Sequence, residues 1–299
     1  MNQNERLDYL VEQFKEDSVQ YRDLETPEDP AGKKRILRSL MNIRMPKMMP
    51  PAILRIQDDY LQERNRENGI IRPDEIPTAA EQGSKHAFAD KLSIWQGDIT
   101  KLAVDAIVNA ANSQMLGCFV PMHTCIDNCI HTYAGVQLRA ECSQKMNELR
   151  AKYGPDYEQP TAQPMLTDGY NLPAKKVIHI VGPIVSGRLT KDLEQDLADC
   201  YRNTLDLCLE NGIRSVAFCC ISTGVFRFPN RRAAEIAVKT VTDWLDEHIG
   251  CNERANAAGA SASRTAHEME RARTAHEMER VIFNVFKDED KAYYEAELQ

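Results

Sequence analysis

The sequence predicts an α/β fold, a sheet with helices on both faces, preceded by a helical segment. Three observations carry this. Short apolar runs of strand length recur from about residue 90 to residue 288. Stretches with helical periodicity separate them, and residues 1–85 hold helical patterns. Strand and helix patterns in alternation point to a sheet covered by its own connecting helices.

The elements follow in order. Leu7, Leu10, Val11 and Phe14 share one helical face, and Ile36, Leu37, Leu40 and Met41 repeat the spacing. The segment MPKMMPP (45–51) ends that helix, because proline disfavours helical geometry at its own position and the one before. Ile53, Leu54, Ile56 and Leu61 predict another helix, and NGIIRPDEIP (68–77) a connecting loop. Strands are then predicted at LSIWQGD (92–98), DAIVNAA (105–111), KKVIHIVGP (175–183), IRSVAFCCIS (213–222) and VIFNVFKD (281–288). Residues 126–142 continue as a helix behind the metal-type loop described below. Further helices are predicted at 193–212, stopped by Gly212, at 230–249, and over the closing DKAYYEAEL. Residues 143–172 mix Pro, Gly and Tyr and are expected to be an excursion over the surface. ANAAGASAS (255–263) and the tandem repeat at 264–280 read as an insertion lengthening a surface loop or helix, a change that costs little stability. The chain thus divides into a helical extension, 1–88, and an α/β domain, 89–299, carrying the insertion at 255–280.

Composition excludes several classes. A net charge of −8 opposes broad binding to nucleic acid or anionic membranes. No apolar run reaches the ~20 residues of a membrane span. The first residues are polar and acidic, unlike a secretory signal. The cysteines number nine, with no paired framework among them, which fits a reducing cytoplasm. A monomer is expected.

The densest chemistry lies in GCFVPMHTCIDNCIH (117–131). Cys118, His123 and Cys125 form a C-x4-H-x-C pattern. Thiolate and imidazole are the ligands zinc prefers, and a structural site normally needs four of them. Three ligands leave one position for a substrate oxygen or a water, so Zn²⁺ is the expected cofactor. Cys129, His131 and Cys142 are rival ligands. Cys129 shares an apolar helical face with Ile126, Ile130 and Tyr133, which favours a core role, and His131 fits a satisfied helical histidine. Asp127 falls in the first helical turn, where the helix dipole favours a carboxylate in any protein. The same position lets it orient a water or a sugar hydroxyl, and both roles stay open.

Three strand-end motifs surround this loop. In QGDIT (96–100), Gly97 permits a turn and Asp98 stands at the sheet edge, as a helix cap or as an acceptor for a ligand amino group. In VNAANS (108–113), Asn109 is assigned to structure and Asn112 to ligand. In ISTGVFRFP (221–229), Ser222, Thr223 and Gly224 offer backbone amides near a helix start, an anion-binding arrangement. Phe226 there packs on a sugar or plugs the core. No P-loop lysine and no GxGxxG pattern occurs.

Taken in order and spacing, QGDIT, DAIVNAANS, LPAKKVIHIVGP and ISTGVFRFP resemble a macrodomain, the family that binds ADP-ribose. The resemblance runs from about 90 to 249. GCFVPMHTC stands where the common hydrolase pattern has a glycine run, and this resembles the zinc-dependent branch of the family. Residues 33–61 resemble the helical extension that precedes the domain in that branch. The resemblance implies a three-layer α/β/α fold with a mixed central sheet. It implies removal of mono-ADP-ribose from modified proteins, on acidic side chains, with zinc held by Cys118, His123 and Cys125. Asp98 would meet the adenine amino group, and Ile99 would add a backbone contact. Ser222, Thr223, Gly224, Val225 and Phe226 would cradle the diphosphate. Asn112 would meet the distal ribose, and Asp127 matches the catalytic aspartate. Partners would be ADP-ribose and an ADP-ribosylated protein, in microbial members often a lipoylated carrier. Two alternatives stand beside this: a reader of ADP-ribose with a structural zinc, and an esterase acting on acyl-ADP-ribose.

Overall fold

A mixed sheet of six strands in the order β1-β6-β5-β2-β4-β3 organises the chain. The computed structural model describes residues 1–250 and 278–299. The strands are β1 (Leu92–Gln96), β2 (Ala106–Ala111), β3 (Met165–Asp168), β4 (Lys176–Val181), β5 (Ser215–Phe218) and β6 (Arg280–Val285). All pair in parallel except β3, which runs antiparallel to β4. The inner strands are apolar on both faces because helices cover both. Ile107, Val108, Val177, Ile178, Val216 and Ile282 are fully buried.

The helices are α1 (Gln3–Glu16), α2 (Pro30–Ile43), α3 (Pro51–Asn68), α4 (Ile126–Ala134), α5 (Val136–Tyr153), α6 (Lys191–Glu210), α7 (Asn230–Leu245) and α8 (Asp288–Glu297). One group, α6, α7 and α8, packs side by side against the sheet; α4 lies against β2 and α5 against β3. This is the expected α/β/α arrangement. Ahead of it, α1, α2 and α3 close around Leu10, Phe14, Leu37, Leu40 and Leu61, and Val136 of α5 joins that cluster.

Three expectations need correction. Residues 143–172 are not a simple excursion. The helix runs on to Tyr153, and Met165–Asp168 forms the edge strand β3. Only 154–164 and 169–172 are irregular, and a four-residue strand gives little alternation to read in sequence. The helix expected over 126–142 is two helices, because Gly135 sits at φ +97°, outside helical geometry. The strand expected over 213–222 leaves the sheet after Phe218, though Cys219 and Ile221 remain buried. The insertion at 255–280 lies outside the described residues but for its last three, of which Arg280 opens β6.

Candidate active site

The loops that follow β1, β2 and β5 converge at the carboxyl ends of parallel strands, where open α/β sheets hold ligands. After β1, Asp98 caps a short 3-10 turn through one oxygen: Oδ1 accepts from the Thr100 amide (3.0 Å) and hydroxyl (2.6 Å). Nothing among the described residues bonds its Oδ2. The cap role is thus observed, and Oδ2 stays free for the other. Ile99 beside it is buried. A Cβ at Gly97 would lie 2.6 Å from the Trp95 ring, so a larger residue there would have to displace that ring.

After β5, the segment 221–228 folds back on itself. The Phe228 amide donates to the Ser222 carbonyl (3.0 Å) and the Arg227 amide to the Gly224 carbonyl (3.1 Å). Ser222 and Arg227 take positive φ, +65° and +60°. The amides of Gly224, Val225 and Phe226 find no acceptor among the described residues, which makes the loop a nest for an anion. Val225 is 76% exposed, and the Phe226 ring is half-buried at the rim. The Ser222 hydroxyl is buried without a partner among the described residues. Thr223 Oγ1 donates to the Cys220 carbonyl (3.0 Å), so its side chain is used within the loop.

After β2 comes the cysteine–histidine loop. Asn112 shapes its start, accepting from the Gln114 amide (3.1 Å) and donating to the Gly117 carbonyl (3.3 Å). Gly117 takes φ +79°, and a Cβ there would lie 2.7 Å from the His131 ring. Cys118 Sγ, the His123 ring and Cys125 Sγ all come within 4.8 Å of one another. Cys118 Sγ and His123 Nδ1 are 3.6 Å apart. All three residues are half-buried, so the cluster opens to solvent on one side. The donor set is two sulfurs and one imidazole nitrogen, which fits zinc. Burial pushes the Cys125 thiol up to about 12, with Cys118 and Asp127 adding to it, so a cation would be needed to hold the thiolate there.

The helical extension holds this loop. Arg38 of α2 donates to the His123 carbonyl (2.8 Å) and to Asn128 Oδ1 (3.0 Å). Asn42 Oδ1 accepts from the Met122 amide (3.0 Å), and Asn128 Nδ2 donates to the Val120 carbonyl (3.0 Å). The extension therefore packs on α4 and also holds the loop that precedes it.

Of the rival ligands, none joins the Cys118, His123 and Cys125 cluster. Cys129 is half-buried beneath Arg38, with Nη2 3.6 Å from its Sγ. His131 and Cys142 form a second, fully buried cluster with His179 of β4. Neither buried ring nitrogen of His131 makes a hydrogen bond among the described residues, although Nε2 lies 3.5 Å from Asp127 Oδ1, one helical turn back.

Asp127 lies in the first turn of α4, whose N-cap is Cys125. It is buried beside this loop and rests on a directed chain of hydrogen bonds. Asn109 Nδ2 donates to Asp127 Oδ1 (2.8 Å) and approaches His179 Nδ1 at 3.1 Å. His179 Nε2 meets Thr167 Oγ1 at 2.9 Å. That places the His179 proton on Nε2 and leaves Nδ1 to accept. Burial pushes the Asp127 carboxyl up to about 6, against the pull of Asn109 and Arg139. Asn109 is thus structural, as assigned, but its partner is the site's own carboxylate. Sequence reasoning missed His179, whose signal was a histidine inside an apolar strand.

His179 makes a stability prediction. Burial pushes its pKa from 6.5 down to about 3, and burial with His179 and Arg139 nearby pushes His131 well below 6.5 too. The unfolded chain then takes up protons as pH falls through 6.5 while the native state does not, so acid weakens the fold. Asp127, raised from 3.8 to about 6, works the opposite way and partly offsets this between those values. Each histidine costs about 2 kcal/mol between pH 7 and pH 5. Urea unfolding at the two pH values checks this. His179→Gln is expected to lose about 2 kcal/mol less than the parent on acidification. An equal loss in both proteins would refute the assignment.

An open carboxylate oxygen, a row of amides without an acceptor among the described residues and a buried aspartate stand together at the strand ends of a mixed sheet, the arrangement of an α/β ligand-binding domain. The Macro domain family model matches residues 108–237. A protein-ADP-ribose hydrolase of Treponema medium is 44% identical over 294 residues, covering 98% of each chain. A protein-ADP-ribose hydrolase of Staphylococcus aureus strain Mu50 is 36% identical over 294 residues, 98% of this chain and 95% of its own. The crystal structure of the Trypanosoma brucei macrodomain in complex with ADP-ribose superposes with a TM-score of 0.59 at 26% identity, over 90% of this chain and 96% of that one. The chain belongs to the macrodomain family. No helix among the described residues is long and apolar enough to cross a membrane.

Proposed function

We propose that this chain is a zinc-dependent hydrolase that removes mono-ADP-ribose from acidic side chains of modified proteins. One observation carries the reading: Asp127, buried and oriented by Asn109, sits two residues beyond Cys125 at the end of an open three-donor cluster. Similarity to named protein-ADP-ribose hydrolases along nearly the whole chain supports it.

In this reading Asp98 Oδ2 accepts from the adenine amino group, and the backbone at Ile99 adds a contact. The diphosphate lies on the amides of Gly224, Val225 and Phe226, flanked by Ser222 and Thr223, with the Phe226 ring on the ribose. The distal ribose reaches Asn112 and the loop behind it. Cys118, His123 and Cys125 would hold Zn²⁺, which supplies Lewis-acid chemistry when bound. The Asp127 carboxylate accepts a proton from the attacking water or from a ribose hydroxyl, and Asn109 fixes its direction. With a carboxyl pushed up to about 6, it is mostly ionised at neutral pH and basic enough for proton transfer.

The reader and esterase alternatives differ in outcome. A fourth protein ligand in the zinc sphere would favour the reader; neither Cys129 nor His131, the candidates for it, reaches the cluster. Release of ADP-ribose from a protein modified on glutamate, compared with turnover of an acyl-ADP-ribose ester, tests all three. Binding without any release would favour the reader, and release from the ester alone would favour the esterase. A lipoylated carrier as the natural target, a cytoplasmic location and a monomeric state remain part of this proposal.

A further inference from the structure

Between the helical extension and α4 lies a cavity of about 330 Å³. Lys34, Arg35 and Arg38 of α2 and Arg64 of α3 line it, against one acid, Glu67. Neighbouring cations are paired, Lys33 with Asp8 and Arg66 with Glu63. The four cavity cations have no ion pair among the described residues. Acidic residues outnumber basic ones 45 to 37 in this chain, so four unpaired cations around one hollow are not a consequence of composition.

Two of the cations are held in place. The Arg64 guanidinium lies 3.4 Å from the centre of the Tyr133 ring. Arg38 is fixed by the His123 carbonyl and Asn128, and its Nε is buried with no partner among the described residues. The cavity also adjoins the site. Met122 lines it and directly precedes His123. The loop 117–125 therefore has the candidate active site on one side and this cavity on the other. None of Asp98, Ile99 and Ser222–Phe226 lines the cavity, so it is separate from the nucleotide cradle.

We propose that this cavity docks an acidic segment of the ADP-ribosylated protein substrate, flanking the modified residue. The inference rests on the reading above that the substrate is a protein. Charge complementarity selects the partner: preordered guanidinium groups match carboxylates and lose little freedom on binding. Aliphatic and aromatic walls (Leu37, Leu61, Tyr133) suit side chains rather than a phosphate strand. The chain's net charge of −8 also opposes a polynucleotide partner.

The test uses two synthetic peptides, each carrying mono-ADP-ribose on one glutamate, one flanked by Asp and Glu and the other by Ser and Gly. The full chain is compared with Lys34→Gln/Arg35→Gln/Arg64→Gln. The triple variant is expected to raise KM about tenfold on the acidic peptide, an effect that fades with salt. Its kcat, its KM on the neutral peptide and its affinity for free ADP-ribose should match the parent. Two results would overturn the proposal: an unchanged KM on the acidic peptide, or an equal loss of affinity for free ADP-ribose, which would assign the cavity to the nucleotide. Should the parent hydrolyse neither peptide, the proposed function fails, and docking is read from binding of the unmodified acidic peptide alone. Weaker binding by the triple variant then supports the cavity, and equal binding overturns it.

Discussion

Asp127→Asn is expected to lower ADP-ribose release from a glutamate-modified protein by about 10²–10⁴-fold, with affinity for ADP-ribose within about twofold of the parent. The substitution keeps size and shape but removes the proton acceptor. The carboxylate it replaces is buried and takes its orientation from Asn109 Nδ2 at 2.8 Å. That hydrogen bond also lowers the Asp127 pKa, against the burial that raises it to about 6. Losing the donor removes the downward pull. Asn109→Leu is therefore expected to move the acid limb of kcat upward in pH, because the carboxyl then protonates sooner as pH falls. A pH profile of the folded variant checks the sign, and a limb that stays put or moves down would sever Asn109 from the mechanism. Full turnover by folded Asp127→Asn would remove Asp127 from catalysis altogether.

Chelation is the second large effect. Elemental analysis is expected to find about one zinc per chain, and its removal to cost about 10²–10³-fold in release, restored by added zinc. Cys118→Ser, His123→Ala and Cys125→Ser should each lower both zinc content and turnover. Cys142→Ser is the control. Cys142 belongs to the buried His131, Cys142 and His179 cluster, so zinc content should stay near one per chain in that variant. Burial holds the Cys142 thiol protonated, far above the ordinary cysteine range. Release that persists in a preparation free of metal would refute the zinc assignment, and loss of zinc from Cys142→Ser would place the ion in the wrong cluster.

Much of this molecule was legible before any coordinates. The strands β1, β2, β4 and β6 each lie within an apolar run of the sequence, since a strand buried on both faces must be apolar at nearly every position. The helices α1, α2, α6 and α7 showed their buried faces as periodicity. Cys118, His123 and Cys125 could be grouped in advance because all three lie in one short loop, and their donor atoms do come within 4.8 Å of one another. Asp127 was placed in the first turn of its helix for the same reason.

What the sequence could not show depends on contacts between distant residues. Asn109 and His179 are 70 positions apart, and only the parallel pairing of β2 with β4 sets them side by side. Arg38 lies 85 positions before His123, and only packing of α2 on α4 brings its guanidinium to that carbonyl. Local periodicity reports which face of an element is buried; it carries no information about which other element will bury it. The sequence by itself therefore determined the types of most elements, the family resemblance and the candidate ligand set. The tertiary structure alone decided that a carboxylate would be oriented from beneath by two neighbouring strands. It also decided that the helical extension would hold the cysteine–histidine loop and leave a cationic cavity behind it. Strand register and helix packing are set by the whole core at once, and no single segment contains them.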